Sequence, residues 1–101
     1  MAYGHLSDRE LLSVIDAALN ALNDDRPRLT PEREQLELLK AAVRVTARLH
    51  AWQARLAARL DAADAAWHEH GTSTATWLAD TLNLTRREAG RLLTAGQHLD
   101  R

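Results

Sequence analysis

The sequence predicts an all-α fold, a capped helix and a long helix followed by a C-terminal helix-turn-helix-like hairpin. Three observations predict it. Hydrophobic residues make up 46% of the 101, there is no Phe, and the apolar content is mostly Ala and Leu. Those two residues head the helix-propensity ranking, and β-branched residues are few. The apolar positions recur mostly at three- and four-residue steps. Capping signatures stand at Ser7/Glu10, Thr30-Pro31 and Thr85/Glu88, where such helices would begin. The length suits a single helical domain spanning 1–101.

The first helix is expected over 8–23. Ser7 and Glu10 form a capping box, and Leu11, Leu12, Ile15, Ala18, Leu19 and Leu22 make one apolar stripe. Asp24, Asp25 and Pro27 then stop it in a short connection.

The long helix is expected over 31–69. Thr30 is its cap, Pro31 its first helical residue, and Glu32 and Glu34 favour the positive end of its dipole. No Pro or Gly interrupts it before Gly71. About 39 residues at 1.5 Å each give a rod of roughly 58 Å. Its inward row reads Leu36, Leu39, Val43, Thr46, Leu49, Trp52, Leu56, Leu60, Ala63 and Trp67, close to a heptad. One shorter neighbour cannot cover it all. The C-terminal hairpin is expected to fold over its second half and a second chain over the rest. Ala57, Ala58, Ala62, Ala63, Ala65 and Ala66 suit close dimer packing, or are simply good helix formers.

The hairpin is expected over 73–96. Gly71 is a left-handed cap, and Thr72 or Ser73 starts the first of its two helices. Leu78, Leu82, Leu84, Ala89 and Leu92 face inward, with Ala79 small at the close approach. Asn83 sits at the turn, where a left-handed backbone is wanted. Thr85 and Glu88 cap the second helix, and Gly96 ends it.

Charge and composition exclude several classes. A formal net charge of −1 makes the whole molecule no magnet for nucleic acid, so a basic surface needs segregated charge. Without cysteine there is no disulfide framework and no thiolate metal site. The N-terminal residues lack the apolar segment of a signal peptide, and no run approaches the roughly 18 apolar residues of a membrane span. A cytoplasmic protein away from the membrane is expected.

Two groups of residues carry candidate chemistry. In DNA-binding hairpins the second helix enters the major groove. The outward positions here are Thr85, Arg86, Arg87, Arg91 and Thr94, with Gly90 allowing close backbone approach. The plainer alternative is an ordinary αα-hairpin with solvated arginines. On the long helix, Arg44, Arg48, Arg55 and Arg59 share a face with Arg33 and Lys40. Those four arginines have no acidic residue three or four positions away, so the stripe suits a phosphate backbone. An interhelical charge ladder with Asp16, Asp24 or Asp25, or a solvated face, is its alternative.

Other constellations are silent. His68 and His70 point to different helix faces and have no third ligand at a zinc spacing, so no metal or cofactor is expected. Ser7, Ser13 and Ser73 are explained by caps or helix surface, and Asp61 and Asp64 are two acids on one face rather than a site. No catalytic residue emerges, and the expected protein is not an enzyme. Trp52, Trp67 and Trp77 are expected to anchor the core.

Gly71-Thr72-Ser73, Trp77-Leu78-Ala79, Leu84-Thr85, Glu88-Ala89 and Arg91-Leu92-Leu93 together resemble the actinobacterial 13E12 repeat family, the domain of unknown function 222. The upstream capped helix and long Ala/Arg/Leu helix look like that family's N-terminal part. The domain there often precedes an HNH nuclease domain, and its members occur in mycobacterial genomes, mobile elements and phages. The resemblance implies a helical, DNA-associated accessory module, encoded by a mycobacteriophage or another mobile element. No nuclease motif is present to carry over, so a small stand-alone relative or a piece lacking the catalytic half is expected. The residues thus point to a non-enzymatic module for duplex DNA, expected to be a homodimer through the long helix. The alternative is a protein–protein interaction or dimerisation module acting through the long helix, for example on a host protein.

Overall fold

The computed structural model describes residues 2–24 and 31–99, and every described element is helical. The chain divides into two compact units, Met1–Pro31 and Glu32–Arg101.

The first unit holds helix α1, Asp8–Leu22. Its start is the expected capping box. The Ser7 hydroxyl accepts from the Glu10 amide at 3.2 Å, and the Ser7 amide donates to the Glu10 carboxylate at 3.0 Å. That backbone hydrogen bond, with the hydroxyl second, holds the Glu10 carboxyl below its usual range. Asn23 closes the helix by donating its backbone and side-chain N–H groups to the Leu19 carbonyl. Asp25 and Pro27, expected to stop this helix, and Thr30, the expected cap of the next, lie outside the described residues.

The second unit is built on α2, Glu32–Ala62, followed by α3, Ala65–His70, α4, Thr74–Thr81, and α5, Arg86–Leu99. The expected unbroken helix over 31–69 is therefore corrected to two helices. Asp64 adopts a left-handed backbone, φ 52° and ψ 32°, and α3 restarts after it. The Asp64 amide turns back to the Asp61 carbonyl, tightening the last turn of the long helix. Asp tolerates this conformation better than most side chains, so the break needs neither Pro nor Gly. The reversal buries Ala66 and brings Thr74 and Leu78 of α4 into the core.

The break also rotates Trp67 out. Expected as a core anchor, it is 64% exposed, while Trp52 and Trp77 are half-buried. Trp77 stacks on His70, with ring centroids 6.1 Å apart and planes 16° from parallel.

The second half of α2 packs on α5, as expected of the folded-back hairpin, but through different residues. The seam runs along Ala54, Ala57 and Ala58, not along Leu56 and Leu60, which stay partly open. Ala89, Leu93 and Gly96 face it from α5. Gly96 is buried inside α5 and does not end it, because the helix continues to Leu99. A Cβ there would collide with the Ala54 carbonyl and come within 2.9 Å of the Ala58 Cβ. Small residues let the two backbones touch, so the alanines expected to serve a dimer are partly consumed within the chain.

Within this unit, none of the described residues of α3, α4 or α5 covers the first half of α2. Leu36, Leu39 and Val43, expected inward, are 65%, 63% and 62% exposed, and Leu38 and Val45 are equally open.

Candidate nucleic-acid interface

The hairpin forms as α4, a four-residue turn and α5. Ser73 caps α4 by accepting from the Thr76 amide at 3.2 Å. Asn83 takes the left-handed backbone expected of it, φ 55°. The Leu84 amide then reaches back to the Ala79 carbonyl at 3.0 Å, the long bond of a Schellman turn. Ala79 is partly buried at that approach.

Thr85 and Glu88 realise the second capping box. The Thr85 hydroxyl accepts from the Glu88 amide at 3.1 Å, and the Thr85 amide donates to the Glu88 carboxylate at 3.1 Å. The Thr85 amide is the main cause that holds the Glu88 carboxyl below its usual range, and the Arg91 charge adds a smaller push in the same direction. Arg86 and Arg87 are thereby fixed at the exposed first turn of α5, whose free amides attract anions. Thr94 is exposed, but its hydroxyl donates to the Gly90 carbonyl at 2.9 Å.

The arginines fall into two groups. At about 100° per residue, Arg44, Arg48, Arg55 and Arg59 lie on one flank of the Ala54/Ala57/Ala58 seam. His50, Gln53, Leu56 and Leu60 lie on the other flank, where they line an open cavity of about 740 Å³. On α5, Glu88, Arg91, Leu92 and Ala95 line the same cavity. The phase of α5 turns Arg86 and Gly90 away from it. The two helices share one seam, so Arg86 stands on the same flank as the α2 arginines, and Arg87 and Thr94 project outward between the flanks. Arg91 belongs to the rim of the cavity, beside Glu88. Arg44, Arg48 and Arg59 are exposed and Arg55 is half-buried. Lys40, which shares their face, pairs with Glu37 at 3.5 Å.

The cavity is the feature the sequence did not announce. Its walls are Leu56, Leu60, Trp77, Leu78, Leu82 and Leu92. The sequence carries a signal for it: Leu56, Leu60, Leu82 and Leu92 hold inward positions in the apolar pattern, yet the close α2–α5 contact leaves Leu56, Leu60 and Leu82 open on the flank and Leu92 half-buried at the cavity wall. No group of three potential metal-ligating side chains occurs among the described residues, and no described helix is long and apolar enough to cross a membrane.

No family model, curated protein or solved structure matches the chain.

Proposed function

We propose that this chain is a non-enzymatic DNA-binding module that presents α5 to duplex DNA. The observation that carries the reading is the capped start of α5, which exposes Arg86 on the flank of the α2 arginines and Arg87 outward next to it. A helix N-terminus with two arginines suits the phosphate backbone and base edges of a major groove, while Arg44, Arg48 and Arg59 would hold phosphates farther along. Segregation of this kind offsets the formal charge of −1 locally. The resemblance to the 13E12 repeat family points in the same direction and is part of the proposal, as are an actinobacterial or phage setting and a cytoplasmic location.

The test is a mobility or anisotropy titration with mixed-sequence duplex DNA at low salt. Binding should weaken steeply as salt rises, because each phosphate contact releases condensed counterions. No salt-sensitive binding at micromolar protein overturns the proposal.

A second reading, an interaction module acting on another protein or on itself, is favoured by a separate observation. Leu36, Leu38, Leu39, Val43 and Val45 are all exposed on one half-helix. Contiguous apolar surface of that extent marks interaction sites.

A further inference from the structure

We propose that two copies of this chain pair antiparallel along α2, the open apolar half of each seated in the cavity of the other. The inference rests on the second reading above and commits it to one partner.

The two halves of the interface lie on one line. From Leu36, steps of three and four residues give Leu39, Val43, Thr46, His50, Gln53, Ala57 and Leu60. The first three are exposed leucine and valine, and the last four line the cavity. Knobs and hole thus occupy opposite ends of one helical row, the condition for a self-complementary two-fold interface. An antiparallel pairing centred between Thr46 and His50 sets Leu36 against the partner's Leu60, and Leu39 over the cavity floor at the level of the partner's Ala57, which its own α5 already covers. Val43 then meets the partner's Gln53, and Thr46 the partner's His50. Leucine thus meets leucine or alanine, and Val43 and Thr46 meet polar side chains, the partner's Gln53 and the partner's His50.

The width of the apolar arc selects a groove over a simple seam. At about 100° per residue, Val45 and Leu38 lie nearly half a turn from Leu36, with Leu39 and Val43 between. A two-stranded seam covers only a narrow stripe. Here the partner would supply walls on both sides, from Leu56 and Leu60 of α2 and from Trp77, Leu82 and Leu92 of α4 and α5.

The area is adequate. Leu36, Leu38, Leu39, Val43 and Val45 are each 60–65% exposed, and pairing buries all five on both copies together with the cavity walls. A standard interface removes about 1,600 Å² in total, a little over half of it apolar, which ten such side chains and two cavities can supply. Arg44, Arg48, Arg55 and Arg59 project from the other flank and stay clear of it.

Sedimentation equilibrium of the full chain across the micromolar range should give twice the chain mass. Leu39→Glu should return it to the monomer with helical circular dichroism unchanged, because Leu39 is exposed within the single chain. The sequence has no cysteine, so engineered pairs report the register directly. Val43 and Gln53 of one helix stand about 15 Å apart, beyond the ~7 Å limit for a disulfide. The Val43→Cys/Gln53→Cys chain should therefore form a reducible covalent dimer on oxidation, and Val43→Cys alone should not. A monomeric mass throughout overturns the proposal, as does equal cross-linking of the single and double variants. A monomer that still binds a different protein, and loses it with Leu39→Glu, would keep the broader interaction reading while overturning self-pairing.

Discussion

Gly96 and Ala54 meet backbone to backbone, for a Cβ on Gly96 would collide with the Ala54 carbonyl. Glycine inside a helix normally costs about 1 kcal/mol relative to alanine, so Gly96→Ala would stabilise an isolated α5. The collision reverses the sign, because α2 and α5 must separate along their whole seam. Gly96→Ala should cost about 1–3 kcal/mol, the usual range for overpacking. Gly90 is the internal control, with nothing within 4 Å of its added Cβ. Gly90→Ala should gain up to about 1 kcal/mol. Urea denaturation of the two variants checks the opposite signs.

The capped ends were legible in the sequence, whereas the seam was not, and the difference is physical. Ser7/Glu10, Ser73 and Thr85/Glu88 act within four residues, so spacing alone reveals them. Gly71 and Asn83 are likewise local, since each meets its own backbone requirement. Gly96 looked like a helix end because its reason for being glycine lies in another helix. The same distant contact moved the buried row of α2 from leucines to alanines and opened the cavity. Among the candidate site residues, spacing placed Arg86 and Arg87 on the exposed start of α5. It did not separate Arg91, whose position on the cavity rim depends on which flank α2 occupies.

Asp64 offers a direct check of the break between α2 and α3. Its left-handed backbone costs a non-glycine residue roughly 1–2 kcal/mol, and its side chain makes no capping hydrogen bond there. Asp64→Gly should therefore raise thermal stability and Asp64→Ala should leave it unchanged or lower it. A helix continuous through 31–69 would produce the reverse order, since alanine then exceeds glycine by about 1 kcal/mol. Thermal melts of the two variants decide the matter by sign.

The Thr85/Glu88 box makes the start of α5 sensitive to acid. The Glu88 carboxyl titrates below its usual range because the ionised form accepts from the Thr85 amide. A depressed pKa means the unfolded chain binds the proton first as pH falls. The stabilisation is thus complete above the ordinary carboxylate range and is lost as pH falls through the lower folded value. A side-chain NMR titration should place the Glu88 midpoint below that of an unstructured Glu. Glu88→Gln should flatten the acid limb of the stability profile, and Thr85→Ala should cost about 1 kcal/mol at neutral pH.

The arginine groups make separable predictions for DNA. Arg86 and Arg87 sit at the capped start of α5, so Arg86→Ala/Arg87→Ala should remove most duplex binding, at about 1–3 kcal/mol per side chain if either reads a base. Arg44→Ala/Arg48→Ala should weaken all sequences alike and lower the salt slope by about one per lost phosphate contact. Arg91 stands apart from both, on the cavity rim beside Glu88. Its replacement by alanine should change DNA affinity less than the Arg86/Arg87 pair does. Anisotropy titrations at several salt concentrations measure all three variants. If Arg91→Ala alone abolishes binding while the Arg86/Arg87 variant retains it, the duplex approaches from the cavity side and the arginine flank of α2 is not the phosphate track.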